Sequence, residues 1–283
     1  MPELPEVEFG RKTAEKVALN RRIDRVWCDD DRIVYKNIIP ATMARKLRGR
    51  VVHQVCRKGK YLWFDLDQGA SPVFHFGMTG GFHLPGEKSI QLESEPPSGD
   101  STWPPRFAKI HLFFDDGGEL VMTNKRRFGR IWLINDPLQE PPISRLGFDP
   151  LTECPSLKDF KERLRNRKGT IKGILLDQSF AAGIGNWIAD EILFQAKLHP
   201  MTRAPALSDV QKKTLFAKMK NVIKRAVEVD ADKSRFPKSW LFHHRWGKDT
   251  NATLADGKEI VHCTVAGRTT AFVPAVQGRK PGS

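Results

Sequence analysis

The sequence lacks several features that would assign it to common protein classes. No apolar run approaches the ~18 residues of a membrane span, and the acidic start Met1-Pro-Glu-Leu-Pro-Glu-Val-Glu is unlike the basic and then apolar start of a signal peptide. The four cysteines are scattered, with no Cys-x-x-Cys pair at zinc-ligand spacing. We therefore expect buried free thiols, no structural metal, and a soluble intracellular protein without a membrane partner.

Acidic residues are also scarce relative to basic ones. The 283 residues include 33 Asp plus Glu against 47 Lys plus Arg, which gives a formal net charge of +14. Such an excess favours a polyanionic partner. At about 150 residues per domain the length suggests two domains, and a hydrophobic content of 40% is incompatible with global disorder.

The two halves of the chain differ in their hydrophobic pattern. From Ile23 to Ile134 short strand-like runs alternate with Gly and Asp turn signals, after a helix that ends near Leu19. A Ser, Glu and Pro-rich stretch between Pro85 and Pro105 is typical of an exposed loop. This half is predicted to be mostly β.

After Asp136 the pattern becomes helical. The clearest helical segments are 156–165, 187–196 and 210–229, the last preceded by a capping box at Ser208. Two strand-like runs then flank Ala266-Gly-Arg268, which fits a β-hairpin with an arginine at its tip. The sequence predicts an α+β fold with an N-terminal domain over 1–135, a linker over 136–152 and a second domain over 153–283.

The N-terminus is a candidate nucleophile. If methionine aminopeptidase removes Met1, the chain begins with the secondary amine of Pro2, beside Glu3 and Glu6. An α-amino group has a pKa of about 8, so roughly 10% is neutral at pH 7, against about 0.04% for a lysine. Such an amine can attack a sugar aldehyde carbon to form an iminium ion, with Glu3 supplying protons. The alternative is an ordinary helix start with favourable acids.

Three other segments carry weaker signals. Gly183-Ile-Gly-Asn186 precedes a helix, where free N–H groups bind phosphate, although taken alone the segment favours an ordinary N-cap with a glycine turn. Lys125-Arg-Arg-Phe128 can give phosphate contacts and an apolar wedge for stacked bases, or be a buried phenylalanine among surface bases. Arg57-Lys-Gly-Lys60 is the third of these basic or glycine-containing segments, and its ordinary interpretation is a solvated turn.

Together these segments resemble the formamidopyrimidine-DNA glycosylase and endonuclease VIII family, from Met1 to Gln277, and the first eight residues resemble the signature of its formamidopyrimidine type. The resemblance implies an N-terminal β-sandwich flanked by helices and a helix-two-turn-helix domain ending in a β-hairpin finger, with damaged double-stranded DNA in the cleft between them. It implies a monomeric bifunctional DNA glycosylase and AP lyase that needs no cofactor, removes oxidised bases and cuts the strand by β,δ-elimination.

The same resemblance assigns roles to individual residues. It makes Pro2 the Schiff-base nucleophile, Glu3 the general acid and Glu6 a second catalytic acid. It places Lys60, counted with the catalytic group, and Lys172 on the phosphates that flank the lesion. The remaining DNA-binding residues are the phosphate-binding His75, Asn186 and Arg268, and the trio that fills the gap left by base flipping, Met78, Arg126 and Phe128.

The chain departs from the bacterial pattern in two places. The finger, over about 250–277, has Cys263 alone where bacterial relatives have four zinc cysteines. It therefore resembles the zincless finger of the plant and fungal branch, which implies a nuclear protein, and we expect Phe272 and Val261 to pack in place of the metal. The segment between Val229 and Trp240 lacks the loop that caps 8-oxoguanine. Formamidopyrimidines, hydantoins and abasic sites are the expected substrates, and 8-oxoguanine is left open.

Two other functions remain open at this stage. A catalytically silent protein that binds damaged DNA would result if Met1 were retained, and intact mass distinguishes it. An RNA-binding helix-two-turn-helix protein of the ribosomal kind would explain the charge but would leave the N-terminal block and Glu3 without a purpose.

Overall fold

The computed structural model describes residues 1–87, 102–247 and 252–278 and divides into two compact units, Met1–Arg145 and Leu146–Ser283. The division falls inside the predicted linker. Most of the predicted loop between Pro85 and Pro105, and the first two residues of the predicted finger, lie outside the described residues. No helix in the described ranges is long and apolar enough to cross a membrane. All four cysteines are free but only half-buried, so the expectation of buried thiols is wrong.

The described part of the N-terminal unit contains two helices and eight strands. They are α1 (Leu4–Ala18), β1 (Ile23–Cys28), α2 (Pro40–Leu47), β2 (Val52–Lys58), β3 (Tyr61–Leu66), β4 (Ser71–His75), β5 (Gly81–His83), β6 (Ala108–Phe114), β7 (Glu119–Thr123) and β8 (Arg130–Ile134). The strands form two antiparallel sheets, ordered β1-β6-β7-β5 and β2-β3-β4-β8.

The two sheets enclose one hydrophobic core. Side chains alternate along each strand, so that Leu120 and Met122 of β7 face this core. At its centre the rings of Phe64, Phe74 and Phe82 meet, with centroids 5.2 Å apart for the pairs Phe64–Phe74 and Phe74–Phe82. The predicted β-sandwich is confirmed, and α1 packs against strands of both sheets. The sequence analysis missed α2, which interrupts the half predicted to be mostly β.

The described part of the C-terminal unit contains five helices and a hairpin. They are α3 (Leu157–Arg165), α4 (Ile171–Leu176), α5 (Asn186–Gln195), α6 (Asp209–Glu228), β9 (Val261–Val265), β10 (Arg268–Phe272) and α7 (Pro274–Gln277). Nearly every side chain of α5 is buried, as expected of a helix surrounded by other elements. α4 and α5 are joined by the two turns over 177–185, which confirms the helix-two-turn-helix arrangement.

An aromatic cluster supports the start of α5. Trp187 packs against Phe236, Trp240 and Phe242, with ring centroids 5.1–6.5 Å apart. Phe236 and Trp240 come from the end of the short segment after α6, which turns through a 3₁₀ helix at Lys233–Arg235. All of this segment is described, and it forms a compact turn without a long loop.

Candidate active site

The N-terminal end of α1 gathers two carboxyl groups next to Pro2. Glu3 is the N-cap residue, and it forms a capping box with Glu6, whose Oε2 accepts the Glu3 backbone N–H at 3.0 Å. Reciprocal bonds of this kind satisfy backbone N–H groups that the first helical turn leaves open. Pro2 and Glu3 are buried. The capping box that starts α1 is therefore also the predicted pair of acids beside Pro2, so the two interpretations of this segment describe the same arrangement.

The Glu6 carboxyl is suited to proton transfer near neutral pH. Burial, and secondly the neighbouring Glu3 carboxylate, raises the pKa of Glu6 to about 7, although backbone hydrogen bonds partly oppose this. Pro2 follows Met1 in this chain, so its nitrogen is part of a peptide bond. Removal of Met1 is therefore required before Pro2 can act as an amine nucleophile.

A buried ion pair connects α1 to the turn that carries Lys60. The Arg57 Nε donates to Oε2 of Glu8 at 2.7 Å, and the Arg57 Nη1 donates to the carbonyl of Gly59 at 3.0 Å. The Arg57 side chain is 1% exposed. A buried charge is costly to separate from its partners, so Arg57 keeps Glu8 and the Gly59 carbonyl in place. The turn that carries Lys60 is therefore fixed relative to the helix of Pro2, Glu3 and Glu6.

His75 lies at the end of β4, in the strand next to the one that follows Lys60. Its Nδ1 accepts the backbone N–H of Gly77 at 3.1 Å, and its ring lies 4.8 Å from that of Tyr61. Burial, and then the positive charges of Lys60 and Arg130, lowers the pKa of His75 to about 4. At pH 7 the ring is neutral with its proton on Nε2, which suits donation to a phosphate oxygen without adding charge.

The trio Met78, Arg126 and Phe128 lies on two neighbouring turns of this unit. Met78 belongs to the turn after β4, whereas Arg126 and Phe128 belong to the turn between β7 and β8. Phe128 is 51% exposed, with the Arg126 guanidinium 5.3 Å from its ring centroid. The alternative of a buried phenylalanine among surface bases is therefore wrong. An exposed aromatic ring beside an exposed guanidinium can enter a gap in a base stack.

The structure gives Lys172 a different environment from the predicted phosphate contact. Its side chain is 0% exposed, and Nζ lies 2.6 Å from Oδ1 of Asp190 and donates to Oγ1 of Thr270 at 2.7 Å. Asp190 also binds Arg245, whose Nη2 lies 2.7 Å from Oδ2. An enclosed ammonium paired in this way does not face solvent, so the prediction of a surface phosphate contact is corrected. Lys172 instead links α4, α5 and the hairpin.

Asn186 is the first residue of α5, where the sequence predicted a helix start. Its Nδ2 donates to the carbonyl of Thr269 at 2.8 Å, so it also holds the hairpin. The preceding turns are organised by Gln178, whose amide donates to Leu176 and Ile184 and accepts the N–H of Gly183. The predicted phosphate contact of Asn186 stays a prediction.

Arg268 is the exposed first residue of β10, directly after the two-residue turn Ala266-Gly267. Phe272 and Val261 pair in register at the base of the hairpin, and Phe272 also packs edge-on against His199, with ring centroids 4.7 Å apart. The hairpin is thus fixed at its base and presents Arg268 near its end. Among the described residues, no group of three or more His, Cys, Asp or Glu side chains is placed to hold a metal ion.

Sequence reasoning missed the partners that hold these groups in position. Asp190 and Arg245 enclose Lys172, and Asn124 and Arg127 fix the turn of Arg126 and Phe128. One signal was available for Asp190, because it follows Asn186 by four residues and residues at that spacing lie on one face of a helix. Arg245 lies 55 residues from Asp190, and Asn124 and Arg127 act through Phe76 and Asp31, which are 48 and 96 residues away from them.

Comparison with known proteins gives the same assignment over both units. The family model of the formamidopyrimidine-DNA glycosylase N-terminal domain matches residues 1–131, and the model of the H2TH domain of the same enzyme matches residues 146–238. Formamidopyrimidine-DNA glycosylase of Arabidopsis thaliana is 43% identical over 98% of this chain and 71% of that protein. The Heliobacterium modesticaldum enzyme is 35% identical over 98% of this chain and 100% of its own length.

Solved structures agree with these relatives. The Lactococcus lactis enzyme, non-covalently bound to DNA containing an AP site, has a TM-score of 0.79 and 27% identity over 98% of this chain and 100% of that chain. The Thermus thermophilus MutM protein has a TM-score of 0.76 and 32% identity over 99% of this chain and 100% of that chain. The match of the N-terminal domain removes the RNA-binding alternative, which gave that segment no purpose. The chain belongs to the formamidopyrimidine-DNA glycosylase family.

Proposed function

We propose that this DNA glycosylase of base excision repair is bifunctional: it excises an oxidised base and then cuts the strand as an AP lyase, through the amine of Pro2. The observation that carries the proposal is the pair of carboxyl groups beside Pro2 in the capping box of Glu3 and Glu6. The pKa of Glu6 is raised to about 7, so this acid can hold a proton at the pH of the cell.

The proposed reaction begins after Met1 is removed. The Pro2 nitrogen bonds to C1′ of the damaged nucleotide, the bond from C1′ to the base breaks, and the proton that the amine loses leaves with the base. The C1′–O4′ bond then breaks, Glu3 protonates O4′, and the nitrogen lone pair completes a C1′ iminium ion. Loss of a proton from C2′ expels the 3′ phosphate, and loss of a proton from C4′ expels the 5′ phosphate. Water finally hydrolyses the iminium ion and restores the Pro2 amine.

DNA with the damaged base flipped out of the stack must be stabilised by contacts with the protein, because extruding a base costs a few kcal/mol. In this proposal Lys60, His75 and Arg268 bind phosphates, and the N-terminal end of α5 at Asn186 adds backbone N–H donors. Met78, Arg126 and Phe128 fill the gap in the stack. The exposed positions of Arg126, Phe128 and Arg268 and the net charge of +14 support these roles.

The proposed lesions are formamidopyrimidines, hydantoins and abasic sites. The compact turn at Asp230–Ser239 supports this choice, because it provides no long loop to close over 8-oxoguanine. Excision of 8-oxoguanine is left to a substrate panel, in which formamidopyrimidine and hydantoin duplexes are expected to react faster than the 8-oxoguanine duplex.

Two variants test the chemistry. Pro2→Gly keeps a terminal amine but loses the secondary nitrogen and its fixed direction, so we expect it to fold and bind DNA while losing most of the excision and cleavage rates. Glu3→Gln should slow excision more than cleavage of a preformed abasic site, since an abasic site already exposes some aldehyde to the amine. Equal losses in both assays for Glu3→Gln would contradict its role as the acid of ring opening.

The alternative is a catalytically silent protein that binds damaged DNA. It would apply if Met1 were retained, because an amide nitrogen has no available lone pair. Intact mass of the purified protein decides between the two, and a chain lacking the mass of Met1 is expected.

We also propose that the protein acts in the nucleus as a monomer. The relative from Arabidopsis thaliana supports the plant and fungal branch on which the nuclear assignment depends. A fluorescent fusion should accumulate in nuclei, and light scattering should give a mass near the 32.1 kDa of one chain.

A further inference from the structure

Two turns carry the residues proposed to probe the DNA stack, and their backbones are in direct contact. Gly77 precedes Met78 and has a φ of +64°, and a Cβ placed on it would lie 2.4 Å from the backbone nitrogen of Gly129 and 2.4 Å from the carbonyl carbon of Phe128. No side chain fits at that distance. Met78 and Phe128 are therefore held close together. Whatever fixes these two turns also fixes the spacing of the three side chains proposed to probe the DNA stack, Met78, Arg126 and Phe128, which we call the probe.

One side chain, Asn124, connects both turns. It is 0% exposed, its Nδ2 donates to the carbonyl of Phe76 at 2.8 Å, and its Oδ1 accepts the N–H of Gly129 at 2.9 Å. Phe76 begins the turn of Met78, and Gly129 ends the turn of Phe128. The carboxamide donates on one side and accepts on the other, so it matches both backbone groups.

Glycines make room for this carboxamide. A Cβ on Gly80 would lie 2.5 Å from Nδ2 of Asn124, and a Cβ on Gly129 would lie 2.4 Å from the same atom. The two turns therefore close tightly around one buried side chain. Removing it leaves the Gly129 N–H buried without its partner and leaves the Phe76 carbonyl with the Gly80 N–H alone as a donor.

A second anchor holds the middle of the turn between β7 and β8. Arg127 has a φ of +55°, a left-handed conformation, and its guanidinium forks onto Asp31, with Nε to Oδ2 at 2.8 Å and Nη2 to Oδ1 at 2.9 Å. Asp31 is buried and also pairs with Lys109, whose Nζ lies 2.9 Å from Oδ2. The two adjacent arginines therefore differ: the Arg127 side chain pairs with Asp31, whereas the Arg126 side chain is exposed beside Phe128.

We infer that Asn124 and the Asp31–Arg127 pair are positioning residues that set how Met78, Arg126 and Phe128 enter the DNA, and so set the preference for the base opposite the lesion. This inference rests on the proposed function of the trio. It adds that the preference depends on two anchors that never touch DNA: a neutral one between the turns and a charged one in the middle of the second turn.

The test compares substrates that do and do not need the probe. Cleavage is measured on an abasic site in duplex DNA opposite each of the four bases, and on the same abasic site in single-stranded DNA, which has no opposite base. For Asn124→Ala we expect duplex cleavage to fall about tenfold and the ratio between the best and the worst opposite base to approach one, while single-strand cleavage stays within about twofold of the parent.

A second variant keeps the test informative if Asn124→Ala does not fold. Arg127→Gln removes the fork from a half-exposed side chain, and it should reproduce the loss of opposite-base preference. Arg127→Lys retains the charge but can make only a single contact, so it should keep part of the opposite-base preference. The matched control is Asp116→Asn, which removes an exposed ion pair with Arg21 elsewhere in the same unit and should leave all ratios unchanged.

Insertion is also measured without catalysis. 2-Aminopurine placed opposite a tetrahydrofuran abasic analogue brightens when its stacking is disturbed, so the parent should raise its fluorescence and both Asn124→Ala and Arg127→Gln should raise it less. Equal loss of duplex and single-strand cleavage, or an unchanged opposite-base ratio in both variants, would overturn the inference. If Arg126→Ala and Phe128→Ala themselves leave the ratio unchanged, the proposed role of the trio fails, which is a separate result.

Discussion

The two units hold the basic segments that we propose to face DNA by different means. In the N-terminal unit the turn of Arg126 and Phe128 is fixed by the neutral carboxamide of Asn124 and by an Arg127 fork that is half exposed. In the C-terminal unit the hairpin that carries Arg268 is fixed by charges enclosed in protein, with Lys172 and Asp190 both 0% exposed.

This difference predicts how each anchor fails. Removing one partner of an enclosed ion pair leaves a buried charge without compensation, which is among the most costly single changes in a protein. Removing the neutral carboxamide of Asn124 leaves one buried N–H unsatisfied and takes one of two donors from a carbonyl, which costs less. The hairpin anchor should therefore govern stability, whereas the turn anchor should govern specificity.

The largest effect is expected for Asp190→Ala. It leaves Lys172 and Arg245 buried without their carboxylate, so the free energy of unfolding should fall by about 3–5 kcal/mol. Denaturant unfolding measures the loss, and hydrogen exchange should show it in the amides of β9 and β10. The control, Asp209→Ala, removes exposed pairs with Lys161 and Lys212 and should cost at most about 1 kcal/mol. Comparable losses in the two variants would contradict an enclosed ionic anchor.

The next effect concerns pH and Glu191, the neighbour of Asp190. Burial raises the pKa of Glu191 to about 7 from an ordinary 4.5, although hydrogen bonds from Gln195 and the Phe242 N–H, and then the charge of Arg245, partly oppose this. Between those pH values the folded state holds a proton that the unfolded chain has released, so stability falls as the pH rises from 4.5 to 7, by up to about 3 kcal/mol.

Glu191→Gln should remove that dependence. Relative to the parent, the variant should gain stability as the pH rises from 4.5 to 7 and should gain no more above that range, as measured by denaturant unfolding at each pH. Glu228→Gln, at an exposed position, is the matched control and should follow the parent. Parallel curves for the parent and Glu191→Gln would show that burial does not shift this carboxyl.

A smaller loss of stability is expected for Asn124→Leu. It leaves the Gly129 N–H without a partner and the Phe76 carbonyl with the Gly80 N–H alone, so unfolding should become easier by about 1–3 kcal/mol, less than for Asp190→Ala. Measured in the same denaturant series, an Asn124 variant that is less stable than the Asp190 variant would reverse the ranking of the two anchors.

The smallest effect is expected from chelators. Because the proposed anchor of the hairpin consists of Lys172, Asp190 and Arg245, incubation with EDTA should change neither the unfolding midpoint nor strand cleavage. Elemental analysis that found one zinc per chain would refute this proposal.

Local patterns predicted most of the fold. The strand-like runs predicted between Ile23 and Ile134 and the Ser208 capping box depend on residues close to one another in sequence. The structure has the capping box at Ser208 and strands within that range, such as Tyr61–Leu66 and Glu119–Thr123. The short helix α2 was missed because it lies among strands and spans only Pro40–Leu47. Its pattern is too short to outweigh its surroundings.

The sequence did not predict side-chain contacts between residues that are far apart in the chain. The resemblance placed Lys172 on DNA, but Thr270, whose Oγ1 accepts a hydrogen bond from Lys172, lies 98 residues away, and Arg245 lies 55 residues from Asp190. Similarly, Asp31 and Arg127 are 96 residues apart. No periodicity within a helix or strand reports such pairs, so sequence reasoning identified the groups that would touch DNA better than the groups that hold them.

In the proposed reaction the N-terminal amine of Pro2 forms the covalent bond to DNA. Sodium borohydride is added to the enzyme and a labelled abasic duplex, which reduces the iminium ion to a stable amine, and the cross-linked peptide is identified by mass. We expect one adduct, on an N-terminal peptide that begins at Pro2. An adduct on the peptide of Lys60, with the N-terminal peptide unmodified, would contradict it.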